Sequence, residues 1–504
     1  MEGKGETDVQ GKGSRPRVKP RTLRGFQDFL PEQEFHRQRI IDTVRRVFES
    51  FGYKPLDTPI LERQETLFGA GGEEGVSVDA NKQTYRFTDL DQEPVALRYE
   101  LTVSLARAVA EHINQIVLPF RRYQVGPVFR FDKPKRGRYR QFVQFDADLI
   151  GESSLLADAE CIALYDAAFS ELGIGDYRIH WSNRKLIQDY LAALGIEQYL
   201  YVRRRGDLFG ERALAFEEKV ECYPLIFSAL DKLDQLGPEG VKLELMGRRE
   251  REDEPESAFA ETVRLSLSEE QAERLLDFVS IKGDFEEVLA KARQALGEAA
   301  ESSRGLWEMA RTVELIQAMG ISEEHCRIDL SIARGLDYYT GTIFEVDLAG
   351  LPQYGSVGGG GRYDDLLSRF SSQKIPGIGI SIGIDRLFMA LWESGRLSPI
   401  PSKTQVLIAN LLEELEGEYL AMASRLRERG IITEVFPRAA KLNRQFKYAD
   451  RLAIPVVLLR GEREKGEGVW QVRRLTEEFG EVEAKQEAVA EGEVVEKVAE
   501  LIGG

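Results

Sequence analysis

Apolar positions recur at helical spacing early in the chain: Ile40, Ile41, Val44, Val47, Phe48 and Phe51, with Gly52 as a stop signal. The spacing predicts a helix over 35–51. The following YKPLDTPILE is extended, because Pro55 and Pro59 exclude a helix. TYRFTDL and VALRYE pair as a hairpin around Asp91-Gln92-Glu93, and LTVSLARAVAEHI returns to helical period. Two strands are then expected, Arg122 to Phe131 and Arg140 to Ile150, joined by the basic loop DKPKRGRY. The second alternates: Val143, Phe145, Ala147 and Leu149 share one face, and Gln144, Asp146 and Asp148 the other.

From 182 to 324 the chain is rich in Glu, Leu and Ala with mostly helical period, which predicts an inserted helical module. Strand patterns resume at CRIDLSI and TGTIFEVDL, followed by the glycine clusters YGSVGGGGRYDD and GIGISIGIDRL. Pro399 and Pro401 mark a linker. From Gln405 to Gly504 strands and helices alternate, the rhythm of a small α/β domain.

A length of 504 residues exceeds one compact core and predicts two or three domains. Three cysteines and four histidines, all scattered, form neither a disulfide framework nor a zinc pattern, which points to a reducing compartment. No run is apolar enough for a membrane span, and residues 1–21 read as a disordered tail that turns basic, without the apolar stretch of a secretory signal. The net charge of −17 argues against a nucleic-acid partner until basic clusters are noted at Arg121-Arg122, Lys133 to Arg140 and Lys441 to Lys447.

Candidate chemistry gathers in three places. Arg130 ends one strand, while Gln144 and Asp148 lie on the polar face of its neighbour. A guanidinium there grips phosphate or carboxylate, and a carboxylate holds an ammonium or an imidazole N–H; an exposed face with ordinary ion pairs is the plain alternative. The basic loop suits polyphosphate or a nucleic-acid end, or is a solvated hairpin. ARGLDYYTG and VGGGGRYD combine an arginine, tyrosines and bare backbone, and GIGISIGIDRL places Arg386 at a helix start, where phosphate binds well. None of the glycine clusters has Walker or dinucleotide spacing.

Together these segments resemble histidyl-tRNA synthetases from about Arg24 to the C-terminus. RGFQDFLP resembles the family's opening. The helix and strand ending at Pro59 resemble class II motif 1, VFRFDKPKRGRYRQFVQFDADLIG motif 2 and GIGISIGIDRL motif 3, while RGLDYYTG is the segment particular to histidine-specific members. The resemblance implies an α+β fold: a class II catalytic domain over 22–397, with antiparallel sheet, helices and the insertion at about 182–324, then an α/β anticodon-binding domain over 403–504. It implies histidine activation with ATP and Mg²⁺, transfer to tRNA(His), a homodimer, and a cytoplasmic location away from membranes. By the same resemblance Arg130 would meet the α-phosphate, Arg386 the γ-phosphate and Arg138 the ATP and acceptor end. Arg334 would be the catalytic arginine, and Glu100, Thr102, Gln144, Asp148, Tyr338 and Tyr339 would join it around histidine. The chain departs from the pattern at Asp132, where Glu is usual, and at Ser104, where Pro is common. A catalytically silent relative, the regulatory subunit of ATP phosphoribosyltransferase, typically lacks the anticodon domain and the arginine segment that this chain carries.

Overall fold

The computed structural model describes residues 18–69, 82–134, 136–205, 215–248, 265–332, 338–475 and 486–503. An eight-stranded sheet carries strands β1 (Lys54–Pro55), β5 (Phe120–Phe129), β6 (Gln141–Ile150), β7 (Tyr177–Asn183), β10 (Cys326–Ile328), β11 (Thr342–Leu348), β12 (Gly358–Arg362) and β13 (Gly377–Gly383). Their order is β1-β5-β6-β13-β12-β11-β7-β10. The six inner strands run antiparallel to one another, and only the edge pairs β1–β5 and β7–β10 are parallel. Beside it, β2 (Leu61–Arg63), β3 (Arg86–Thr88) and β4 (Pro94–Leu97) form a small antiparallel sheet, with the expected hairpin turn at Gln92, φ +65°.

The alternation in β6 divides two environments. Phe145, Ala147 and Leu149 enter the main core with Ile40, Val44 and Phe48 of helix Pro31–Ser50, and with Cys161 and Tyr165 of helix Leu155–Glu171. The opposite side chains, Gln144, Asp146 and Asp148, are buried too. The polar face predicted from period 2 is therefore a closed interior, not a wet surface. Arg122, read from sequence as part of a surface basic cluster, is 0 % exposed, and Arg121 is tied to Glu160 at 2.8 Å. Strand geometry explains this: register places Arg122 directly opposite Asp148.

The glycine run 358–361 is a central strand. A Cβ on Gly360 would stand 2.2 Å from the Gly379 carbonyl oxygen, and one on Gly361 2.8 Å from that of Thr342. Bare backbone lets β12 lie close between its neighbours. Residues 182–324 contain more than helices: 182 and 183 complete β7, and β8 (Tyr199–Arg205) pairs with β9 (Ala215–Glu221). The last unit is a mixed sheet, β15-β14-β16-β17-β18, of β14 (Val406–Ile408), β15 (Thr433–Val435), β16 (Val456–Leu459), β17 (Val469–Arg474) and β18 (Gln486–Ala490). Helix Glu416–Glu428 packs Tyr419, Met422 and Leu426 against one side.

One ion cluster beside the sheet makes a stability prediction. His180 of β7 lies 3.4 Å from Asp329 and 3.3 Å from Asp347. Burial opposes its charge, but the two carboxylates outweigh it and raise the imidazole pKa to about 9. The folded value exceeds the unfolded value of about 6.5, so the stabilisation is complete below pH ~6.5 and is lost as pH rises through 9. At most about 3 kcal/mol is involved. Melting scans from pH 6 to 10 should show a steeper loss for the wild type than for His180→Gln; parallel curves would refute the assignment.

Candidate active site

Arg130 follows β5 at the edge of the buried polar face. Its Nε donates to the Tyr99 carbonyl at 3.1 Å, and its guanidinium lies 4.3 Å from the Tyr99 ring centre and 5.2 Å from that of Phe142. Such clamping fixes the fork before any ligand arrives. Arg386 comes from the first turn of helix Ile384–Glu393, directly after β13, and donates to the Ser356 carbonyl. Its helix is pinned by Asp385, which pairs with buried Arg37 and accepts from the Val143 N–H at 3.0 Å. Burial, and then the charges of Arg138 and Arg130, push Arg386 down to about 10. Two further guanidinium groups thus act on Arg386 at the head of a helix, an arrangement that favours a polyanion. Exposed Arg138 stands on the basic loop, 3.9 Å from Asp132, and the loop turns at Gly137, φ +66°.

Further along the same face lies a buried cluster of acidic and aromatic side chains. Glu100 accepts from the backbone N–H groups of Thr102 and Val103 at the start of helix Thr102–Glu111, and Tyr338 reaches it at 3.4 Å. Tyr338 meets Tyr339 and Tyr363 edge-on, at 5.3 and 5.9 Å between ring centres. Asp148 pairs with Arg122 at 2.9 Å and accepts from the Tyr363 hydroxyl; burial nevertheless raises its pKa. Gly379 makes room for it, since a Cβ there would lie 2.0 Å from Asp148 Oδ1. Gln144 donates to Ser381 Oγ at 2.6 Å, and its Oε1 has no hydrogen-bond partner among the described residues. Arg184 holds the Tyr339 carbonyl at 2.9 Å.

The residues named from sequence therefore fall into two adjoining groups: Arg130, Arg138 and Arg386 in one, and Glu100, Thr102, Gln144, Asp148, Tyr338 and Tyr339 in the other. Arg334 lies outside the described residues. Sequence reasoning missed Arg122, Ser381, Tyr363 and Arg184, and gave Asp146 no role. The alternation that selected Gln144 and Asp148 also selects Asp146. Among the described residues no three His, Cys, Asp or Glu side chains are grouped as a metal site.

An antiparallel sheet bearing this arginine trio beside a buried acidic and aromatic cluster, followed by an α/β unit, is the architecture of a class II aminoacyl-tRNA synthetase. The family described as "Histidyl-tRNA synthetase" matches residues 25–209 and 223–387, and that described as "Anticodon binding domain" matches 405–501. A histidine–tRNA ligase of Rhodopirellula baltica is 38% identical over 458 residues, 91% of this chain and 94% of that one. One of Stenotrophomonas maltophilia is 38% identical over 475 residues, 92% and 95% of the two chains. The crystal structure of a Nostoc histidyl-tRNA synthetase superposes with a TM-score of 0.76 at 30% identity, covering 96% of this chain and all of that one. The chain belongs to the histidyl-tRNA synthetase family.

Proposed function

We propose that this protein is a histidine–tRNA ligase: it activates histidine with ATP and transfers it to the 3′ end of tRNA(His). The single observation that carries this is the junction of the arginine trio with the acidic, aromatic cluster on one sheet face. In the first step a carboxylate oxygen of histidine attacks the α-phosphorus, and the bond to the bridging oxygen of pyrophosphate breaks. Negative charge grows on the phosphoryl oxygens, where a preorganised guanidinium is most effective. Arg130 serves the α-phosphate, Arg386 the γ-phosphate, and Arg138 the ATP and the acceptor end. Arg334 is assigned the second contact to the reacting carboxylate and phosphate. Glu100, Thr102, Gln144, Asp148, Tyr338 and Tyr339 hold histidine. In the second step a terminal ribose hydroxyl attacks the adenylate carbonyl, AMP leaves, and its phosphate takes the proton.

Mg²⁺ would neutralise phosphate charge. Asp132 and Glu345 both act electrostatically on Arg386, and their hard oxygens are the donors such an ion takes. The catalytic domain is assigned to 22–397, with the insertion at about 182–324, and the anticodon-binding domain to 403–504. A homodimer in the cytoplasm completes the reading; free, buried Cys161, Cys222 and Cys326 suit a reducing compartment, and no helix among the described residues is long and apolar enough to cross a membrane.

The test is ATP–pyrophosphate exchange with each standard amino acid in turn. Histidine alone should support it. Exchange with a different amino acid, or with none, overturns the reading.

A further inference from the structure

Four groups of the buried cluster carry acidic or amide oxygens: Glu100, Gln144, Asp146 and Asp148. Two of the three carboxylates have direct compensation. Asp148 has Arg122 and the Tyr363 hydroxyl, and Glu100 has two backbone N–H groups at a helix start. Asp146 has no ion pair among the described residues, only the more distant charge of Arg122 and a hydrogen bond from Ser381. It is 3% exposed, its Oδ1 finds no hydrogen-bond partner among the described residues, and its hydrogen-bonding neighbour is Ser381 across the β6–β13 register. Next to it Gln144, 9% exposed, keeps an unpartnered Oε1. Two buried acceptors on one face of one strand thus have no hydrogen-bond partner among the described residues.

We propose that Asp146 is a specificity-determining residue of the amino-acid site, supplying a buried negative charge that a cationic group of the amino acid bound beside Gln144 and Asp148 balances. The proposal rests on the histidine reading and sharpens it. Asp146 acts by its charge from within the sheet face and does not need to touch the ligand. The groups acting on it are Asp148, Arg122 and Glu100; its own charge is felt by Arg98, Tyr165 and Tyr339. Burial, and then Asp148, push its pKa to about 7, so near neutrality the protonated and ionised forms are about equally populated before a ligand binds. A bound cation favours the carboxylate, and binding is thereby linked to loss of that proton.

The linkage gives a test that cancels the titration of histidine itself. The Kd for histidine is measured on the full chain at pH 8 and pH 6, for wild type and for Asp146→Asn. At pH 8 the amide variant should bind about tenfold more weakly; at pH 6, where the wild-type carboxyl is itself protonated, the ratio should fall to about twofold. Asp146→Glu, which keeps the charge, should stay near the wild type at pH 8. Should Asp146→Asn not fold, Ser381→Ala serves instead: losing that donor should move the wild-type pH dependence to higher pH. A variant-to-wild-type ratio near one at pH 8, a ratio independent of pH, or an unmoved profile in Ser381→Ala overturns the role of Asp146 while sparing the histidine reading. Tight binding of lysine or arginine in place of histidine, with the same pH-dependent ratio, overturns the histidine reading and upholds Asp146.

Discussion

Replacing Arg130 by alanine should cut histidine-dependent ATP–pyrophosphate exchange by a hundredfold or more, mostly in kcat. The expectation follows from how the side chain is held. The Tyr99 carbonyl and the rings of Tyr99 and Phe142 fix its guanidinium, so no reorganisation is required when charge develops on phosphorus. Removing one such donor typically costs about 10²–10³ in rate, roughly 3–4 kcal/mol. Arg130→Lys should recover little, because an ammonium can neither lie flat between those rings nor present two parallel donors. Arg386 offers a contrast. It is already held down to about 10 by burial and by two neighbouring arginines, so it gains most when a polyphosphate relieves that repulsion; Arg386→Ala should raise the KM for ATP as well. Steady-state exchange with ATP and histidine varied separately distinguishes the two. Exchange by Arg130→Ala within threefold of wild type would remove Arg130 from the chemistry.

Much of this arrangement is legible along the chain because strands impose a strict period of two. The alternation from Val143 to Leu149 gives both the apolar core face and the polar face of β6, and the place of Arg386 at a helix start is readable from a small-residue strand running into a helix. Burial was less legible. A row of Gln144, Asp146 and Asp148 looks the same whether it faces water or a closed interior, since what decides is the covering layer: Tyr338, Tyr363 and helix Thr102–Glu111, all distant in sequence. Arg122 illustrates the same limit. Beside Arg121 it reads as surface charge, yet neighbouring strand residues point to opposite sides, one to Glu160 and the other to Asp148.

The glycine clusters were legible as a demand for close approach, but not as to what approaches. Gly360 and Gly361 yield to neighbouring backbone, and Gly379 to the Asp148 carboxylate. The β8–β9 hairpin is hidden from a reading at helical period, being a short excursion inside a long helical stretch. Asp146 escaped for a different reason. It has no ion pair among the described residues, and sequence does not reveal which carboxylates a fold compensates.

Arg122→Met should be the most destabilising single change at the site, by about 3–5 kcal/mol, because it strands a buried carboxylate. Arg122 and Asp148 are 0% and 2% exposed in their side chains and stand 2.9 Å apart; with Asp146 and Glu100 close by, the guanidinium is what makes an ionised Asp148 tolerable. Burial already raises the Asp148 pKa, against the influence of Arg122, and losing Arg122 must raise it further. A carboxyl whose folded pKa exceeds its unfolded value stabilises the fold when protonated, and that contribution is lost as pH rises through the folded pKa. The deficit of Arg122→Met should therefore be largest at pH 8 and shrink toward pH 5. Urea unfolding at both pH values, following the transition of the unit that contains the eight-stranded sheet, measures it. Adding Asp148→Asn should restore much of the stability at pH 8 without restoring histidine binding, since it removes the stranded charge and the acceptor together. An equal deficit at pH 5 and pH 8, unrelieved by Asp148→Asn, would mean that Arg122 matters for its packing and not for its charge.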